Sequence, residues 1–168
     1  MAEVERGQIP AAVAASEVPE LLMYFTERLS AYSEEERAKI LSAADWARNL
    51  HGEQKRASGD PFFIHPLSVA SILVDIRMDS QGVIAALLHD VLEDTETSRQ
   101  ALRKEFGREV ESLVQGVTKI SVLRGRSSRS LQHAETIRKM LFAMVKDVRV
   151  ILIKLADKLH NMRTLGYL

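Results

Sequence analysis

The run GVIAALLHDVL, Gly82 to Leu92, sets the strongest limit on what this chain can fold into. A segment so apolar reads as a helix that must be buried, yet it carries His89 and Asp90 near its end. Polar side chains buried with such a segment are costly unless something pairs with them. Two more residues share this predicament: His65 in FFIHPLSVA and Asp157 in VILIKLADKL. A metal ion shared by His65, His89, Asp90 and Asp157 is an economical way to satisfy all four. An adjacent His and Asp can both reach one ion when the backbone bends at a helix end, although an isolated pair of this kind can equally well cap a helix.

Composition narrows the chemistry. The 168 residues are enough for one domain with a sizeable core, and 46% of them are apolar. Lys plus Arg and Asp plus Glu both total 23, so no net field favours nucleic acid or an anionic membrane. There is no cysteine, which excludes disulfides, thiolate metal sites and a cysteine nucleophile, and fits a cytoplasmic setting. Imidazole and carboxylate remain as ligands. That mixture suits manganese, iron(II) or zinc better than calcium, and manganese(II) is the expected ion. No stretch is long and apolar enough to suggest a membrane segment.

The remaining pattern is helical throughout, with no run of alternating residues to mark a strand. The first 18 residues read as a flexible lead-in, followed by a domain from 19 to 168. PELLMYFTERLS from Pro19 suggests a short helix. Ser33 and Glu36 form a capping-box pattern that opens a second helix through about His51, with Glu34, Glu35 and Glu36 at its positive end. Gly59, Pro61 and Pro66 punctuate a turn before a helix from about Pro66 to Ile76, placing His65 at a helix entrance. Further helices are expected over Gly82–Leu92, Ser98–Phe106, Arg108–Val117, Leu131–Val145 and Asp147–Arg163. The basic, Ser-rich stretch from Lys119 to Ser130 reads as a loop, with Arg124, Arg126 and Arg129 most simply solvated.

Glu93 and Asp94 follow one turn after the His-Asp pair, in HDVLEDT. Hydrolysis needs an acceptor for a water proton and a donor for the leaving oxygen, and carboxylates beside a metal can serve both steps. His160, one turn beyond Asp157, is positioned to orient that carboxylate. His51 and His133 read as ordinary helix residues.

HDVLEDT, RASGDPFFIHPLSVA, VQGVTK and AETIRKMLFAMVKDVRVILIKLADKLHNMRTL, in this order, resemble the amino-terminal hydrolase domain of the Rel/Spo alarmone synthetase/hydrolases, a branch of the HD superfamily. The resemblance runs from about Ala44 to Leu168, and several motifs in order make it specific where the HD pair alone is not. It implies an all-α HD-domain bundle holding manganese(II) (Mn2+) through His65, His89, Asp90 and Asp157. It implies hydrolysis of the 3′-pyrophosphate of guanosine tetra- or pentaphosphate, with Glu93 and Asp94 as the acidic pair. Arg56 and Ser58 match the substrate-contacting segment, and Asn161 and Thr164 match positions near the ribose and guanine. Ala57 stands where many relatives carry a second basic residue, and Asp60 and Phe63 also depart from the commoner choices. The chain stops just after the last motif, so it reads as a piece of a bifunctional protein with linked synthetase and regulatory regions. Two other readings of the same residues are an HD phosphohydrolase of another nucleotide and a non-catalytic nucleotide-sensing domain.

Overall fold

In the computed structural model, which describes residues 18–56, 59–121 and 147–164, every element is helical apart from an isolated antiparallel bridge between Lys55 and Pro61. The elements are α1 (Val18–Arg28), a 3-10 turn (Leu29–Ala31), α2 (Glu34–His51), α3 (Ile64–Asp75), α4 (Ser80–Leu87), α5 (Val91–Asp94), α6 (Arg99–Ser121) and α7 (Val148–Thr164). The expected all-α class is the observed one. The lead-in (save Val18, which opens α1), the helix expected over Leu131–Val145, and Arg124, Arg126, Arg129, His133, Ala57 and Ser58 lie outside the described residues.

Local chemistry explains most boundaries. Ser33 caps α2 as expected: its hydroxyl accepts from the Glu36 backbone N–H, and the Glu36 carboxylate accepts from the Ser33 backbone. Capped by Asp79, whose side chain accepts from the Gly82 N–H, α4 starts at Ser80, two residues before the expected Gly82. Gly107 divides α6 with φ 87° and ψ 174°, a backbone state that a side chain would strain, so the two expected helices are present as arms of one kinked element. The second arm continues through Ser121, so Lys119 ends a helix instead of starting a loop.

The centre of the molecule is α3, with α1, α4 and α7 packed on it, while α4 also meets α2 and α6. Ten of the twelve residues of α3 are buried, including Leu67, Val69, Ala70 and Leu73. At about 1.5–3 kcal/mol for each fully buried large aliphatic side chain, this hub supplies much of the drive for folding. Among the described residues no helix is long and apolar enough to cross a membrane.

Candidate metal centre and its acidic rim

Three separate segments meet at one buried place. His65 comes from the first turn of α3, His89 and Asp90 from the turn between α4 and α5, and Asp157 from the middle of α7. The single helix expected over Gly82–Leu92 does not form. It ends at Leu87, Leu88 leaves helical geometry at φ −107° and ψ 6°, and a new turn begins at Val91. That break lets adjacent side chains converge: His89 Nε2 is 3.0 Å from Asp90 Oδ1, and Asp90 Oδ2 is 3.6 Å from His65 Nε2. His65 Nε2 is also 3.3 Å from Asp157 Oδ1. His65, His89 and Asp157 each present a donor atom within 4.8 Å of the others.

The donor set fits a cation. The Ala86 carbonyl can only accept, so His89 Nδ1 must donate to it, at 2.8 Å. Neutral His89 then carries its lone pair on Nε2, which is fully buried, has no hydrogen-bond partner and faces a carboxylate oxygen. Two acceptors turned toward each other repel unless a proton or a metal ion lies between them. Burial pushes the His89 imidazolium down, but the Asp90 charge and the Ala86 carbonyl outweigh it and the net shift is upward. His65 moves downward, burial outweighing its hydrogen bond to Asp157.

Further contacts fix the candidate ligands. His65 Nδ1 lies 2.8 Å from His160 Nδ1, a contact that needs one proton between the rings. With that proton on His65, its Nε2 lone pair is free to ligate; with the proton on His160, His65 Nε2 can donate to Asp157. His160 is pushed down to about 3, first by burial and then by His65 and Arg56, so it is neutral near pH 7. It therefore orients His65, not Asp157 as expected. Asp157 is held instead by Lys154 Nζ, 2.7 Å from Oδ2, and by Asn161 Nδ2, which donates to Oδ1 at 2.5 Å. Burial raises its carboxyl, but His65 and Lys154 prevail and keep it well below the usual range. Lys154 was readable in sequence only as a charge interrupting an apolar run. Its spacing three residues before Asp157 puts it within reach of that carboxylate on a helix but does not show that it is buried there.

The substrate candidates divide. Arg56 donates to Asn161 Oδ1 at 2.6 Å across 105 residues, so one amide bridges the arginine and Asp157. The tight turn that carries Arg56 closes with its carbonyl accepting from the Gly59 N–H, and Gly59 has φ 90°, a state that favours glycine. The Thr164 hydroxyl donates to the His160 and Asn161 carbonyls of its own helix, and no described contact joins it to the cluster. Ser58 lies outside the described residues.

Glu93 and Asp94 are exposed on α5 and line an open groove with Leu50, Gln54, Thr95 and Thr97. Gln54 Nε2 donates to the Asp94 carbonyl at 3.3 Å, and His51 Nδ1 donates to Gln54 Oε1 at 3.1 Å. His51 is buried and stacked on Phe62. The Asp94 carboxyl is raised, first by the partial desolvation it meets beside its neighbours and then by the nearby Asp90 charge.

A family model described as HD domain matches residues 43–167. The chain is 50% identical over 141 residues to GTP pyrophosphokinase rsh of Brucella ovis, covering 83% of this chain and 19% of that protein. It is 51% identical over 133 residues to the guanosine-3′,5′-bis(diphosphate) 3′-pyrophosphohydrolase of Borreliella burgdorferi, covering 79% of this chain and 20% of that protein. With the bifunctional (p)ppGpp synthase/hydrolase SpoT of Escherichia coli K12 it shares 48% identity over 151 residues, covering 87% of this chain and 21% of that protein. The chain thus spans about a fifth of the length of these curated relatives. A solved structure, of a metazoan ortholog of SpoT that hydrolyzes ppGpp and plays a role in starvation responses, superposes with a TM-score of 0.59 at 35% identity. It covers 77% of this chain and 71% of that one.

Proposed function

The chain belongs to the HD-domain family, among SpoT-like relatives, and on that premise we propose that it hydrolyses the 3′-pyrophosphate of guanosine tetra- or pentaphosphate (ppGpp, pppGpp) to GDP or GTP plus pyrophosphate. The observation that carries this reading is the convergence of His65, His89, Asp90 and Asp157, from three segments, on a buried imidazole nitrogen with no hydrogen-bond partner. These four residues would hold a divalent ion, with manganese(II) the choice that suits the mixed nitrogen and oxygen donors. When bound, the ion acts as a Lewis acid toward the phosphate and lowers the pKa of water.

The chain's own residues supply the rest. A water oxygen bonds to the phosphorus next to the 3′-oxygen, the bond from that phosphorus to the 3′-oxygen breaks, and pyrophosphate departs. Glu93 takes the water proton, and Asp94 gives its proton to the 3′-oxygen; the upward shift of the Asp94 carboxyl suits it to holding one. Arg56 offers a planar fork for phosphate oxygens, beside Asn161 and Asp157. Ser58, Asn161 and Thr164 would complete the nucleoside contacts. The reading includes linked synthetase and regulatory regions in the parent protein and a cytoplasmic setting. What supports the linked regions is that this chain matches only about a fifth of its relatives, one of them named a bifunctional (p)ppGpp synthase/hydrolase.

The test is incubation of the full chain with guanosine tetraphosphate and manganese(II), with and without chelator, beside Asp90→Ala. GDP and pyrophosphate that vanish with chelator and with the substitution are the expected result. Guanosine tetraphosphate left intact by a folded, metal-loaded chain would overturn the reading.

A further inference from the structure

Lys154 is an odd neighbour for a cation site. Its side chain is buried, 9% exposed, and its ammonium sits 2.7 Å from Asp157 Oδ2. Lysine is almost never buried without a partner, and here one partner is a residue read as a metal ligand. The two oxygens of Asp157 are thereby sorted. Oδ1 faces His65 and receives the Asn161 amide, while Oδ2 is taken by the lysine.

The charge balance shows what this arrangement does. Counted by themselves, apart from any proton on the imidazoles and from the nearby Arg56, the Asp90 and Asp157 carboxylates and the Lys154 ammonium sum to one net negative charge before an ion binds and one net positive charge after a dication does. Without the lysine the corresponding values are two negative and zero. Lys154 therefore relieves repulsion between the carboxylates of the metal-free site, opposes the incoming dication, and leaves a positive excess that suits a polyphosphate.

We propose that Lys154 is a positioning residue: a built-in counter-ion that keeps Asp157 in place without metal, limits it to one oxygen for the ion, and weakens metal binding in exchange for turnover. This rests on the metal reading of the site given above. It separates Lys154 from an ordinary structural residue, whose loss would weaken metal affinity along with everything else.

The experiment measures manganese(II) affinity by calorimetry and the metal-free melting temperature in chelator, for the full chain and for Lys154→Met, Lys154→Gln and Lys154→Arg. Lys154→Met should melt lower without metal, because the buried Asp157 loses its partner, yet bind manganese(II) more tightly, on the order of tenfold, because an opposing charge a few ångströms away is gone. Turnover should fall at the same time. Lys154→Arg should return affinity toward that of the unsubstituted chain. If Lys154→Met does not fold, Lys154→Gln removes the charge while keeping a donor and carries the same expected tightening. Unchanged or weaker binding in the neutral variants, with the unsubstituted chain binding normally, would overturn the role of Lys154 alone. An unsubstituted chain that binds no manganese(II) would overturn the metal reading itself.

Discussion

In the proposed site α3 carries a metal ligand and α5 the acidic pair, but ten of the twelve residues of α3 are buried, whereas of the four in α5 only Val91 is. His65 is held on one side by the His160 ring and stands in the hub of the fold. Glu93 and Asp94 sit on a single exposed turn, whose described tie to the loop after α2 is the bond from Gln54 to the Asp94 carbonyl. On the proposed function, the difference separates two jobs. Holding an ion requires donor atoms fixed within a few tenths of an ångström, which a close-packed core provides. Moving protons to and from a polyphosphate requires access to solvent and substrate, which an exposed turn provides.

That contrast can be broken by substitution. The largest effect is expected at the buried end: His65→Ala should remove manganese(II) binding, lower the melting temperature, and reduce turnover beyond the ~10–100-fold that loss of an outer partner costs. Calorimetry, thermal melts and product release check the three parts separately. At the exposed end, Asp94→Asn should lower kcat by about 10²–10⁴-fold, the range for a lost acid or base, with metal affinity and melting temperature unchanged. Equal destabilisation by the two substitutions would erase the distinction. Arg56→Lys keeps the charge but loses the fork that reaches Asn161, so KM should rise by roughly tenfold, one charge-assisted hydrogen bond.

The smallest effect concerns pH. Unfolded His160 takes a proton near its ordinary value of 6.5, while the folded group resists until about 3. Its contribution to stability is therefore complete above about 6.5 and is lost as pH falls toward about 3. His65 acts in the same direction, whereas His89, shifted upward, loses its contribution as pH rises. Metal-free melts should fall between pH 7 and pH 5. His160→Asn, which keeps an acceptor for His65 without a titrating ring, should flatten that fall, and an unchanged slope would show that His160 is not its source.

The contrast between core and rim also decides what could be read in advance. The Ser33 and Glu36 capping box and the Gly107 break depend on a few neighbouring residues, so local chemistry revealed them. The end of α4 did not show, because residues from Val83 to Leu92 are apolar on both sides of the break and periodicity cannot mark a turn within such a run. The ligand types stood out because His and Asp are costly in apolar segments. Their supports did not: His160 meets His65 across 95 residues and Arg56 meets Asn161 across 105, and such meetings follow from how helices pack. Lys154 belongs to the same class, since its neighbours in sequence do not reveal that it is buried against Asp157.

The most direct test of the central claim is anomalous diffraction from crystals of the chain grown with manganese(II), recorded at the manganese edge. One peak enclosed by His65 Nε2, His89 Nε2 and the carboxylates of Asp90 and Asp157 is the predicted result. A manganese-saturated crystal with no peak between those side chains, or with its ion bound elsewhere, would contradict it.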